Sequence, residues 1–262
     1  MSKKLTQNDV AFESPDYGLD APGLVRFFFL AGACAIASLV MALVFLSGGT
    51  WVGLVAVALA ALSAIYLVGM GSLMLFWSKV IKVREREQTL DLIDWRGDER
   101  VLDVGCGRGL LMIGAALRLK TGQSVGIDIW AAKDQSGNSP EAARNNAIKA
   151  GVPDRVEIQT ADMRKLPFAG GSFDVVVSHW VVHNLEDEAD RSLALTEMAR
   201  VLRLGGLLIL CDIEHRDAYL AKLKALGFSD CQMIFKPTRD AILGVLSFCS
   251  FRPTTIFARA PA

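Results

Sequence analysis

The sequence predicts a two-part molecule: a pair of membrane-crossing α-helices followed by an α/β domain built on a parallel, doubly wound sheet. Three observations predict it. Two long apolar runs stand near the N-terminus, at 24–46 and 51–77. Short apolar strands then alternate with helix-patterned segments from Val101 to Cys211, the signature of a parallel sheet wound with helices. Within that alternation, Val101-Leu102-Asp103-Val104 runs straight into Gly105-Cys106-Gly107-Arg108-Gly109 and then into a helical apolar pattern over Leu110–Leu119.

Residues 1–23 are polar and broken by Pro15, Gly18, Pro22 and Gly23, which predicts an irregular leader. The run 24–46 is apolar apart from Arg26, and 51–77 carries no charge. Each exceeds the roughly 20 residues that span a hydrocarbon core as a helix. Ser47-Gly48-Gly49-Thr50 leaves room only for a tight turn, so the pair forms an antiparallel hairpin. A cleaved signal peptide would start earlier and be shorter. Buried helices of a soluble domain would be shorter and amphipathic.

Trp51 and Trp77 sit where interfacial anchors belong, and Lys3, Lys4 and Arg26 on one flank match Lys79, Lys82, Arg84 and Arg86 on the other. The positive-inside rule puts both flanks, and the domain that follows, on the cytoplasmic side of the inner membrane, with the lipid bilayer as partner. Ala56, Ala60 and Ala64 share one helical face, and Ala33 and Ala37 offer a counterpart. That spacing permits close packing within the hairpin or between two copies in a homodimer. Residues 78–94, rich in Arg and Glu, are expected to form a linker helix that leads into the domain at 95–262.

Composition narrows the partners. The chain has 28 basic and 28 acidic residues, so net charge gives no case for nucleic acid. Five scattered cysteines without C-x-x-C pairing speak against a disulfide framework or a zinc site, and no metal is expected. Mean hydropathy is +0.35, high for a soluble enzyme.

The glycine loop is a ligand site, because residues without side-chain bulk let a ligand approach the main chain and the helix behind offers free N–H groups. Its spacing, G-x-G-x-G, is neither the dinucleotide fingerprint nor a phosphate-binding loop ending in G-K-[ST]. The second strand ends at Asp128, with Ile129 and Trp130 following. An acidic residue about 20 positions beyond such a loop is placed to accept hydrogen bonds from ribose hydroxyls. Trp130 lies against adenine or serves packing. Ser139 or Asn138, followed by Pro140 and Glu141, opens the next helix in cap order. The third strand, 156–160, leads to Asp162 and Met163, and the fourth, 173–177, to Ser178, His179 and His183. The fifth is expected over 207–211, after a glycine pair at 205–206, and ends at Asp212.

The run from Asp103 to Gly109 resembles the first motif of the class I S-adenosylmethionine-dependent methyltransferases, and the run from Arg203 to Cys211 resembles the last. The resemblance implies a Rossmann-like seven-stranded sheet with an antiparallel hairpin at one edge, and S-adenosylmethionine as cofactor. It implies that the loop (Asp103, Gly105, Cys106, Gly107, Gly109) wraps the methionine chain and ribose. Asp162 and Met163 would then meet adenine, unless Asp162 only caps a turn, and Ser178 and the residues after it would face the methyl group. With the membrane hairpin, the whole looks like the membrane-anchored bacterial methyltransferases of the UbiE-like kind.

Methyl transfer from a sulfonium depends mostly on positioning. A hydroxyl or carbon acceptor also needs a base near neutral pH, which makes His183 the candidate and His179 a weaker one. A hydrogen-bonding wall role for His183 stays open, and Asp212, Glu214 and His215 are further acceptor-side candidates. The leading expectation is an integral-membrane methyltransferase with a lipophilic small-molecule acceptor, such as a lipid headgroup or a quinone. The alternatives are a water-soluble thiol or amine acceptor with the hairpin as an anchor, and a membrane scaffold or sensor that binds the cofactor without catalysis. The glycine spacing disfavours a nicotinamide-dependent oxidoreductase. The apolar stretch 240–251 covers the acceptor pocket, touches the bilayer or joins the core. The leader near Asp16, Tyr17 and Asp20 folds over the cofactor or lies on the membrane.

Overall fold

The computed structural model describes residues 14–45, 49–131, 135–235, 240, 244–245 and 253–262. Lys3, Lys4, Ser47 and Gly48 of the turn and most of the apolar stretch 240–251 lie outside the described residues. The chain divides into two compact units, one of residues 18–84 with 131–137 and the other of the remainder.

The smaller unit holds α1 (Pro22–Phe45) and α2 (Trp51–Phe76). The Thr50 hydroxyl caps α2 by accepting the Gly53 N–H at 3.2 Å. The helices approach closely at Gly32, where an added Cβ would lie 2.8 Å from Val68, and at Gly71, where it would lie 3.1 Å from the Phe29 ring. Ala64 is buried in this contact and Ala56 and Ala60 are half-buried, so the small residues of α2 do line the hairpin. The expected counterpart is corrected: Ala33 and Ala37 face outward, and α1 buries Val25, Gly32 and Ala42 instead. Only 11 % of the most apolar window of either helix is buried, which distinguishes the pair from core helices of a globular domain.

A five-residue π-helical turn, Trp77–Ile81, joins α2 to α3 (Lys82–Leu90). The helix expected over 78–94 thus ends four residues early, where Leu92 and Ile93 donate to Thr89 and Leu90 in a closing turn. Lys82, expected among the flanking positive charges, is buried instead. Its ammonium, 2 % exposed, donates to the Gly18 carbonyl at 3.0 Å and pairs with Asp20 at 3.2 Å. Asp20 also accepts from the Ser78 hydroxyl.

The larger unit is a seven-stranded sheet. In chain order it comprises β1 (Arg100–Val104), α4 (Leu110–Arg118), β2 (Gln123–Asp128), α5 (Pro140–Lys149), β3 (Val156–Thr160) and β4 (Phe173–His179). Then come α6 (Glu188–Val201), β5 (Leu202–Asp212), α7 (Arg216–Ala225), β6 (Ser229–Ile234) and β7 (Thr254–Arg259). The sheet order is β3-β2-β1-β4-β5-β7-β6, parallel through β5 and antiparallel across β5-β7-β6. Alternate residues of each strand feed two cores. Leu102, Val104, Val176 and Leu208 pack towards α6 and α7, whereas Val101, Val175, Val177 and Ile209 pack towards α4 and Leu90.

The fifth strand starts five residues earlier than expected. Arg203–Gly206 reads locally as a helix end and a turn, but Gly205 N–H donates to Pro261 O and Ala260 N–H to Gly206 O, both at 2.8 Å, and these bonds hold it extended. The pairing with β4 shifts register there, between Phe173 and Val175. Arg86, expected among the flanking positive charges, is buried in the larger unit, where it pairs with Glu87 and donates to the Tyr17 hydroxyl at 2.9 Å.

Candidate functional site

In the order β3-β2-β1-β4 the chain passes from β1 to β2 on one side and crosses back from β3 to β4 on the other, so a crevice opens at the carboxyl ends of β1 and β4. The glycine loop lies there. Gly105, Gly107 and Gly109 have φ of 74°, 51° and 88°, the left-handed region that disfavours any side chain. At Gly105 a Cβ would also meet Val181 at 2.5 Å, so the loop and the segment after β4 touch with no space between them. The N–H groups of Gly105 and Cys106 both donate to Ile127 O, which ties the loop to β2.

Asp103 lies beneath this loop, 1 % exposed, where it accepts the Met112 N–H at 2.7 Å and anchors the first turn of α4. Burial, opposed by that bond, raises its pKa to about 7. Cys106 is buried too, and burial with the nearby Asp103 and Asp128 charges keeps its thiol well above the ordinary range, protonated and unreactive.

Asp128 closes the loop from the β2 side. Its Oδ2 accepts the Gly107 N–H at 2.8 Å, and its Oδ1 accepts the Trp130 N–H at 2.6 Å and the Asn138 amide at 3.4 Å. A carboxylate has about four acceptor positions, so capacity remains for a hydroxyl ligand. Ile129 projects beside it, 61 % exposed, an apolar surface at a strand end. Trp130 takes φ of 62° and its indole N–H donates to the Thr160 hydroxyl at 2.8 Å, which fixes the ring to the end of β3. The donor and acceptor set, the bulk-free loop and the apolar shelf fit a nucleoside with an attached chain.

The remaining candidates are placed less simply. Asp162 accepts from the Arg164 backbone at 2.8 Å and from its guanidinium at 2.6–3.1 Å, and Arg164 reaches on to Asp190. These bonds lower the Asp162 pKa and occupy both of its oxygens, so it caps a turn as well as standing at the end of β3. Met163 is buried in the core. Ser178 is fully buried, and its hydroxyl donates to Val104 O at 2.9 Å, locking the ends of β4 and β1 together.

The two histidines have separate partners. His179 ends β4 with its ring stacked on Trp180, centroids 4.9 Å apart. His183, in the short helical turn Val182–Asn184, faces Asp212 at the end of β5. Asp212 is 3 % exposed, and the Tyr219 hydroxyl is held protonated by burial and by that carboxylate's charge. Glu214 and His215 are exposed beyond this pair. The partnership of Asp212 with His183 is the main site feature that sequence reasoning underweighted; the signal was an acidic residue at a strand's carboxyl end. Among the described residues no group of three or more His, Cys, Asp or Glu stands together as a metal site.

Residues 102–210, from β1 to the end of β5, match a family model described as "Methyltransferase domain". Methyltransferase GfsG of Streptomyces halstedii is 39 % identical over 134 residues, 51 % of this chain and 44 % of the relative. The demethylmenaquinone methyltransferase of Lactiplantibacillus plantarum is 32 % identical over 138 residues, 52 % of this chain and 54 % of the relative. The chain thus spans about half the length of the curated relatives it matches. Among solved structures, geranyl diphosphate methyltransferase in complex with S-adenosylmethionine superposes with a TM-score of 0.54 at 18 % identity, over 68 % of this chain and 84 % of that one. The [4+2]-cyclase SpnF gives 0.54 at 20 % identity, over 69 % and 81 %. At these identities the likeness is one of fold, a Rossmann-like sheet, and the cyclase is a reminder that such a fold hosts more than one reaction.

Proposed function

We propose that the chain, whose residues 102–210 form an S-adenosylmethionine-dependent methyltransferase domain, is an integral-membrane enzyme that methylates a lipophilic acceptor on the cytoplasmic side of the membrane. The observation that carries this reading is covalent. The domain follows, in one polypeptide, two helices of 24 and 26 residues with mean hydropathy of 2.5 and 2.4 over their apolar windows. Arg26, Lys79 and Arg84 flank them with exposed positive charge, which favours a cytoplasmic domain. Two relatives are named for quinone methylation, the demethylmenaquinone enzyme above and UbiE of Geotalea daltonii, 31 % identical over 121 residues. A quinone is one acceptor of the required solubility.

When bound, S-adenosylmethionine supplies an electrophilic methyl group on a sulfonium. The chain's residues do the rest. Gly105, Gly107 and Gly109 keep side chains out of the cofactor's path, Asp128 takes ribose hydroxyls, and Ile129 with Trp130 flanks the base. Asp162 and Met163 stand at the adenine end, and Asp103 and Cys106 support the loop from below. Ser178 fixes the strand that presents the acceptor side. His183 is the general base for a hydroxyl or carbon acid: with its Nδ1 proton held by Asp212, the basic nitrogen is Nε2. His179 is a wall residue on Trp180.

The test is to titrate the detergent-purified protein with S-adenosylmethionine in a calorimeter, then incubate it with methyl-labelled cofactor and a lipid extract of its host. Binding lost in Asp128→Ala and label in the organic phase are expected. Label found only in an aqueous thiol or amine would replace the lipophilic acceptor, and binding without label in either phase would favour a sensor.

A further inference from the structure

We propose that Tyr219 is a positioning residue of the methyl-transfer site: its buried hydroxyl completes the hydrogen-bond set of Asp212 and so sets how firmly His183 holds a proton. The inference rests on the reading of His183 as general base and deepens it.

A sharp turn brings the two residues together. Asp212 ends β5, α7 begins at Arg216, and the connection is only Ile213, Glu214 and His215. His215 takes φ of 56°, in the left-handed region, which reverses the chain at once. Tyr219 therefore lies one turn into α7, back at the end of the strand just left. It is 2 % exposed and belongs to the core that also holds Val182, the residue before His183, and Leu210, two residues before Asp212.

An aromatic ring is at home in that core, but its hydroxyl is not. The Tyr219 oxygen is buried and closes no hydrogen bond among the described residues, a costly state for a polar group away from water. Asp212 is the complementary case. Its Oδ1 lies 2.5 Å from His183 Nδ1 and accepts the Ile213 N–H at 2.8 Å, and its Oδ2 accepts the His183 N–H at 3.1 Å. A carboxylate has about four acceptor positions, so one is left, on Oδ2. Burial and the Asp212 charge both keep the Tyr219 hydroxyl protonated and thus able to donate. A small adjustment of the side chain joins donor to acceptor.

Other charges face the pair. Arg191 of α6 acts on Tyr219 while donating to the Leu185 and Glu186 carbonyls at 2.6 and 2.8 Å. Glu214 also acts on it, and the His215 ring meets the Tyr219 ring edge-on, centroids 6.1 Å apart. Glu214 and His215 are exposed and screened by water, whereas Tyr219 acts from inside the core. A hydrogen bond donated to Asp212 spreads the carboxylate charge and weakens its hold on an imidazolium. His183 then releases its proton at lower pH, and more of it stands ready as a base.

The experiment titrates the full chain in detergent, carrying isotope-labelled histidine, by NMR between about pH 5 and pH 8. The signal lost in His183→Gln assigns the residue. Tyr219→Phe keeps the ring and removes the donor, so the His183 midpoint should rise by about half a unit to one unit. Its dissociation constant for S-adenosylmethionine should change by less than about twofold, which reports an intact fold. Replacing the three tyrosines of the chain with 3-fluorotyrosine makes the hydroxyl a stronger donor and should lower the midpoint, a shift absent in Tyr219→Phe. A midpoint that stays or falls in folded Tyr219→Phe would overturn the proposal. Should that variant not fold, a midpoint unmoved or raised by fluorination would do the same. These readouts need no acceptor, so they stand apart from the base reading, which falls instead if methyl-label incorporation survives His183→Gln.

Discussion

His183 Nδ1 and Asp212 Oδ1 stand 2.5 Å apart, and the other Asp212 oxygen accepts the His183 backbone N–H at 3.1 Å. Ring and main chain of one residue are thereby held by a single buried carboxylate, which sets both the orientation and the tautomer of the imidazole. For a hydroxyl or carbon acceptor, Asp212→Asn and His183→Gln should each lower label incorporation by roughly 10²–10⁴-fold with S-adenosylmethionine affinity unchanged. Incorporation that survives both substitutions would make His183 a wall residue.

The glycine loop makes a second prediction, with an internal control. Gly105 and Gly151 both have φ above 70°, but an added Cβ meets Val181 at 2.5 Å in the first and nothing within 4 Å in the second. Gly151→Ala should cost on the order of 1 kcal/mol from backbone strain alone. Gly105→Ala should cost that and about 1–3 kcal/mol more from overpacking. Denaturant midpoints measured side by side check the difference, and equal losses would show that Val181 yields without cost.

Asp103 gives a pH dependence. Its folded pKa of about 7 lies above the value of an unfolded aspartate. Between about pH 4 and pH 7 the unfolded state therefore binds fewer protons than the native state, and stability falls as pH rises, by on the order of 1 kcal/mol per unit near the middle of the window. Asp103→Asn keeps an acceptor for the Met112 N–H and removes the titration. Melting temperatures compared across this range should show a slope in the unaltered protein that the variant lacks.

The buried Lys82 predicts a non-additive pair. Asp20→Ala removes the carboxylate that pairs with an ammonium of 2 % exposure, and should destabilise by about 3–5 kcal/mol. The double variant Asp20→Ala with Lys82→Met removes the stranded charge and should be less destabilised than Asp20→Ala alone. A double variant that is worse than the single one would locate the stabilisation in the lysine's other contacts.

What the sequence made legible was local. The period of the apolar residues located both long helices and the five parallel strands, the Ser139-Pro140 pair marked the start of α5, and glycine spacing marked the loop. What it hid was set by residues far along the chain. The early start of β5 depends on Ala260 and Pro261, more than 50 residues later. His183 meets Asp212 across 29 residues and Arg108 meets Asp16 across 92. Lys82 and Arg86 read as flanking positive charges, and nothing local reveals that they are buried with Asp20, Glu87 and Tyr17 as partners. Ala33 and Ala37 have spacing suited to helix contact, but only the partner helix decides which face is inside, and it selects Gly32.

The position of β7 bears on how the chain is made. It is the last strand in sequence, yet it lies between β5 and β6 and hydrogen-bonds to both. During synthesis β6 has no neighbour to join until residues 254–259 have emerged, and β5 presents an open edge for the same interval. The two apolar helices leave the ribosome long before, so they can form before the sheet closes. A nascent chain arrested before Thr254 would then carry an open β5 edge and an unpaired β6, and its fate would depend on whether a chaperone or another strand reaches that edge first.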